Sequence, residues 1–196
     1  LGDTWIAPVD GVTLSVERGE FLGIAGESGS GKSLTLRSIV GLLPAGSRVE
    51  GRLLFSLDGE TQRQLDVEEV RGRGVAMIFQ EPMTALNPTM RVGDLIAEGP
   101  RVHRGLSRAD AKARAIELMG LVGIPDPRRR ARHWPHQLSG GLRQRVMIAT
   151  ALSTDPKLLL CDEPTTALDV TIQDQILGLL DGLRRDLGMS IVLVTH

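Results

Sequence analysis

Gly26-Glu27-Ser28-Gly29-Ser30-Gly31-Lys32-Ser33 matches G-x-x-x-x-G-K-[ST] in full, and it stands between an apolar run and a helical pattern. Residues of these types at this spacing hold phosphate. Glycines let successive backbone N–H groups turn inward around phosphate oxygens, and a helix starting there points its positive dipole end at the same anion. Lys32 is placed to reach the β and γ phosphates of a nucleotide, and the Ser33 hydroxyl to coordinate Mg²⁺, which prefers hard oxygen ligands.

Two carboxylates follow a second apolar run in "KLLLCDEP". Asp162 can hold Mg²⁺ through water, and Glu163 can polarise the water that attacks the γ phosphate. Gln80 follows "AMIF" and is a candidate Mg²⁺ ligand or water-orienting group. His196 follows "IVLVT" and is a candidate donor to a γ-phosphate oxygen. Ser139-Gly140-Gly141, ahead of a helix, makes a second anion site with a hydroxyl and free N–H groups. One nucleotide already has its phosphate loop, so this second site makes sense if it closes over a nucleotide held by a partner subunit.

Strands and helices must bring these groups together. "VTLSVERGEFLGIAG" predicts strands over 12–17 and 20–25 around the turn pair Arg18-Gly19, and a helix follows over Lys32–Leu43, stopped by Pro44 and Gly46. Further strands are predicted over 51–57 and 74–79, with a loop or short helix over 58–73. From Thr84 the strand signal fades into an Arg- and Ala-rich stretch containing "SRAD", where Ser107 and Asp110 form a capping-box pattern. Strands return at 157–161 and 190–195, with an amphipathic helix between them carrying Ile172, Ile176, Leu179, Leu180 and Leu183 on one side and ending at Gly188. Strands alternating with helices predict an α/β fold, a mostly parallel sheet flanked by helices, whose ligands sit at the carboxyl ends of the strands. Residues 26–33, 80, 162–163 and 196 all fall just after predicted strands.

Composition excludes other classes. Lys and Arg number 23 against 24 Asp and Glu, so the chain lacks the positive field of a dedicated nucleic-acid binder. The run Arg128-Arg129-Arg130-Ala131-Arg132 stands alone and reads as a solvated loop. The single cysteine, Cys161, rules out an internal disulfide and lies in an apolar run, which fits a buried thiol in a reducing, cytoplasmic setting. No stretch is apolar enough for a membrane-spanning helix. The chain starts without Met and stops just after a strand, and so reads as a piece of a longer protein.

The order "GESGSGKS", "FQEPMTALNP", "LSGG", "LLLCDEPTTALDV" and "VTH" resembles the ATP-binding subunit of ABC transporters, most closely in wording the branch serving dipeptide, oligopeptide and nickel importers. The resemblance implies a P-loop ATPase fold of the ABC type with a small antiparallel β part. It implies one nucleotide-binding domain, with an ATP-binding core over 1–83 and 150–196 and an inserted helical subdomain over 84–149. Gly26–Ser33 would be the Walker A loop, Gln80 the Q-loop residue linking the γ phosphate to a transmembrane partner, and Ser139, Gly140 and Gly141 the signature loop acting across a dimer. Asp162 and Glu163 would be the Walker B acid and catalytic base, Asp169 a D-loop residue and His196 the switch histidine.

The implied ligands are ATP and Mg²⁺. The implied partners are a second ATP-binding subunit, membrane permease subunits and, indirectly, an extracytoplasmic solute-binding protein; no nucleic acid is expected. The implied place is the cytoplasmic face of the cell membrane. Leu142 stands where the family usually has Gln in LSGGQ, so phosphate contact from Ser139 and the backbone should survive without a contact from that fifth side chain. Trp5 lies near the place of the adenine-stacking aromatic, and two readings stay open for it, stacking or a loop anchor.

Three other functions share parts of this pattern. A chromosome-maintenance ATPase of the same fold would carry a long coiled coil between phosphate loop and signature, and no heptad run occurs here. A non-catalytic nucleotide-binding module would not need Glu163, Gln80 and His196 together. An exporter ATPase differs from the importer reading only in motif wording.

Overall fold

In the computed structural model, residues 6–56, 61–81, 85–166 and 168–196 are described. Trp5 therefore lies outside the described residues.

Four strands make the central sheet: β1 (Phe21–Ala25), β4 (Val75–Ile78), β5 (Leu158–Asp162) and β6 (Ser190–Thr195), in the order β1-β6-β5-β4. All three pairings are parallel. Parallel strands need both faces covered, which is why each reads as a nearly unbroken apolar run rather than an alternating one. The alternation is instead between two cores. Leu160, Val192 and Val194 pack on one face with Leu36 of helix α1 (Lys32–Ile39) and with Val40, the residue that caps its end. Leu159, Cys161, Ile191 and Leu193 point to the other face. There they meet Val146 and Ile148 of the helix over Gly140–Leu152, and Ile176, Leu180 and Leu183 of the helix over Val170–Leu187.

Between β1 and β4 lie a two-stranded antiparallel ribbon, β2 (Leu54–Phe55) with β3 (Arg63–Gln64), and a short helix α2 (Val67–Val70). Helices α3 (Val92–Arg104), α4 (Arg108–Leu121), α5 (Pro127–Arg130) and α6 (Gly140–Leu152), with a 3₁₀ turn at Pro135–Gln137, follow β4. Helix α7 (Val170–Leu187) joins β5 to β6. Apolar residues of α3, α4 and α6 merge with the α7 side of the sheet into one continuous core.

Several expected boundaries change. Among the described residues, 12–17 join no ladder: Val12 and Leu14 are exposed, and only Val16 of that alternating set packs on the core. The segment is tied down by side-chain bonds, Ser190 Oγ donating to Glu17 O at 2.9 Å and Gly19 N donating to Ser190 Oγ at 2.9 Å. Pairing over 51–57 shrinks to two residues per strand. Helix α1 ends before Leu43 because Gly41 turns left-handed (φ 65°): its N–H bonds Ser38 O and the Leu42 N–H bonds Arg37 O. The arginine run folds into a helical turn, α5, opened by Pro127.

Other readings hold. Ser107 caps α4 by accepting from the Asp110 N–H at 3.2 Å, and α7 stops at Gly188 in the left-handed conformation. Cys161 is fully buried, and burial pushes its thiol pKa well above the usual range. No helix among the described residues is long and apolar enough to cross a membrane.

Candidate functional site

Placing β6 between β1 and β5 gathers the ends of all four strands along one edge, although their sequence positions are far apart. Residue 195 pairs with Ala25, Val194 with Asp162, and Ile78 with Cys161. Everything that leaves these ends therefore converges.

The loop after β1 curls around Lys32, whose Nζ donates to Gly26 O at 2.7 Å and Glu27 O at 2.8 Å. Gly31 ends the loop at φ 88°, and a Cβ there would come within 2.8 Å of Val9 Cγ2 and 2.9 Å of Pro8 O. No L side chain suits that position, so the glycine is required by both conformation and space. Lys32 and Ser33 then start α1, whose first-turn N–H groups have no acidic side chain competing for them.

Two carboxylates at the end of β5 are treated differently. Asp162 is wholly buried: Ser33 Oγ donates to its Oδ1 at 2.6 Å, and Arg37 Nη2 lies 3.5 Å from its Oδ2. Ser33 and Arg37 are one helical turn apart on α1, so one face of the helix serves both oxygens. Ser33 and Asp162 form a hard-oxygen pair of the kind Mg²⁺ takes, and the short distance between them shows that both converge on one point.

Glu163, also buried, sits beyond the strand with a left-handed backbone, φ 47°, uncommon for a residue with a side chain. Its N–H still bonds Val194 O at 3.1 Å, so the sheet ladder holds the residue while its backbone turns away. Three side chains meet its carboxylate. Gln80 Nε2 donates to Oε2 at 2.7 Å, Thr166 Oγ1 donates to the same oxygen at 3.0 Å, and His196 Nε2 lies 2.8 Å from Oε1. Gln80, Glu163 and His196 are thus brought together, with the two expected phosphate- or metal-facing groups both turned to the carboxylate. An open depression of about 480 Å³ beside Gln80 is lined by Arg37, Leu42, Phe79, Glu81 and Ala85.

Ser139 and Gly140 are exposed at the start of α6, and the Ser139 side chain makes no capping bond. Its hydroxyl is therefore not consumed by its own helix. Leu142 packs against the core, which directs its side chain inward. Gly141 is close-packed, a Cβ there falling 3.2 Å from Ile172 Cγ2 at the start of α7. Asp169 caps that same helix, its Oδ1 accepting from the Ile172 N–H at 3.0 Å. The Ser139–Gly141 loop and the Asp169 turn are neighbours.

Sequence reasoning missed Arg37 and Thr166. Arg37 had a signal in its one-turn spacing from Ser33; Thr166 had one in its place three residues after Glu163, the reach of a tight turn.

A glycine loop between a strand of a parallel sheet and a helix, facing paired acids at the end of another strand of that sheet, defines a nucleotide-phosphate-binding protein of the P-loop class. The family model described as ABC transporter matches residues 9–166. The oligopeptide transport ATP-binding protein OppD of Bacillus subtilis (strain 168) is 49% identical over 97% of this chain and 54% of its own length. The dipeptide transport ATP-binding protein DppD of the same organism is 48% identical over 97% of this chain and 58% of its own. Among solved structures, the dimeric post-hydrolysis state of the ATP-binding cassette MJ0796 bound to ADP and Pi aligns with a TM-score of 0.80 and 34% identity, covering 100% of this chain and 83% of that one. The chain belongs to the ABC transporter family. It spans little more than half the length of the curated relatives it matches.

Proposed function

We propose that the protein is the ATP-binding and ATP-hydrolysing subunit of an importer, working at the cytoplasmic face of the membrane on separate permease subunits. The solute class is peptides, or a related solute such as nickel, delivered by an extracytoplasmic binding protein. The similarity to oligopeptide and dipeptide transport ATP-binding proteins supports the solute class. The observation that carries the enzymatic reading is the pair of buried carboxylates at the end of β5, one bonded to Ser33 and the other bonded by Gln80 and Thr166 with His196 alongside.

In this reading the Gly26–Ser33 loop wraps the β and γ phosphates, and Lys32 exchanges its bonds to Gly26 O and Glu27 O for phosphate oxygens. Ser33, Asp162 and Gln80 are the residues that would hold Mg²⁺, which supplies neutralising charge to the phosphates. Glu163 orients a water for in-line attack and takes its proton, and His196 donates to the γ-phosphate oxygen once released from Glu163. Trp5 is the candidate to stack on adenine.

Residues 84–149 form the helical subdomain that presents Ser139, Gly140 and Gly141 to the nucleotide of a second ATP-binding subunit, beside Asp169. ATP then favours the closed pair, and its loss the open one.

The test is Glu163→Gln in the full-length protein. ATP turnover is expected to fall at least a hundredfold while ATP binding persists and a dimer accumulates with saturating ATP. Wild-type turnover by the variant overturns the assignment of the base. Copurification from native membranes with two multi-span permeases tests the importer reading, and recovery with soluble partners or nucleic acid alone overturns it.

A further inference from the structure

We infer that Thr166 is a positioning residue for hydrolysis: its hydroxyl fixes the Glu163 carboxylate after Gln80 and His196 have turned away. The inference rests on the reading of Glu163 as the base. Oε2 of Glu163 accepts from both Gln80 Nε2 and Thr166 Oγ1, and His196 Nε2 lies 2.8 Å from Oε1. Each carboxylate oxygen accepts about two hydrogen bonds, so Oε2 is filled by Gln80 and Thr166, and Oε1 is open to a water once His196 moves off.

The three side chains around the carboxylate differ in how they are held. Gln80 lies just beyond the end of β4 and His196 just beyond the end of β6, so both reach Glu163 from distant parts of the chain. Thr166 is three residues from Glu163, inside a turn closed by the Thr166 N–H bonding Glu163 O at 3.4 Å. That turn starts at the left-handed Glu163. Motions of the other two loops leave it unchanged. When Gln80 and His196 turn to nucleotide, Thr166 still holds Oε2, leaving Oε1 to face the attacking water. A charge-assisted hydrogen bond keeps one rotamer of a side chain that would otherwise sample several, and catalysis is sensitive to such placement.

Thr166 is solvent-exposed, so the valine variant can be made without opening a cavity. The experiment compares Thr166→Val and Thr166→Ser with wild type and Glu163→Gln, all full-length. It measures kcat, KM, ATP affinity by calorimetry and thermal unfolding. Thr166→Val is expected to lower kcat about fivefold, the order of one partly exposed hydrogen bond, with KM, affinity and Tm unchanged. Thr166→Ser should return kcat to within about twofold of wild type. Wild-type kcat in Thr166→Val, equal loss in the serine variant, or a parallel fall in affinity or Tm overturns the inference. If Glu163→Gln itself turns over ATP normally, the underlying reading of the base fails instead.

Discussion

Gly31→Ala, compared with Gly29→Ala, separates the two reasons for glycine in the phosphate loop. Both residues are left-handed, with φ 88° at Gly31 and 81° at Gly29. An alanine at either pays roughly 1–2 kcal/mol for that conformation. At Gly29 nothing lies within 4 Å of the added Cβ. At Gly31 the Cβ meets Val9 Cγ2 at 2.8 Å and Pro8 O at 2.9 Å. The valine can rotate away, but a backbone carbonyl yields only if the segment carrying it moves, and overpacking of this kind adds about 1–3 kcal/mol.

The totals are about 1–2 kcal/mol for Gly29→Ala and about 2–5 kcal/mol for Gly31→Ala. At about 2–4 °C per kcal/mol for a domain of this size, thermal unfolding without nucleotide should show a fall of about 2–8 °C for the first and about 4–20 °C for the second, larger in Gly31→Ala by the steric share. Equal shifts in the two variants would refute the steric argument, because they would mean that residues 8–9 swing away at no cost.

Two further predictions concern charge. Arg37→Met should cost about 1–2 kcal/mol in denaturant unfolding, less than a fully buried pair, because 39% of the Arg37 side chain is in water and its contact to Asp162 is 3.5 Å long. The loss should vanish in an Asp162→Asn background; persistence there would show that Arg37 acts through packing. The Asp181 carboxyl is held below the usual carboxylate range, chiefly by hydrogen bonding from Arg184 and then Arg185. A lowered folded pKa gives stability that is present above about pH 4, the unfolded value, and lost as pH falls through the folded one. Asp181→Asn should flatten the stability–pH curve in that acid window and leave its slope near neutrality unchanged. An unchanged acid slope would count against the pairing.

Periodicity and local signals made much of the molecule legible. The strand, glycine loop and helix around Lys32, the runs that became β5 and β6, the Ser107 cap and the Gly188 stop are all determined within a few residues of themselves. Residues 12–17 alternate like a strand and yet find no partner among the described residues, where the ribbon pairs over just two residues; a strand exists only with a partner.

Order in the sheet is a property of the whole chain, and it decided the site. The local sequence around His196 contains nothing to say that β6 lies between β1 and β5, yet that insertion is what brings His196 to within 2.8 Å of Glu163. Arg37 beside Asp162 and Thr166 beside Glu163 likewise needed three dimensions: the first depends on α1 crossing the end of β5, the second on the left-handed turn at Glu163. Short-range sterics and burial pattern make strands, loops and caps readable residue by residue. Which carboxylate oxygen meets which donor depends on how strands far apart in sequence are stacked, and only the packed sheet sets that.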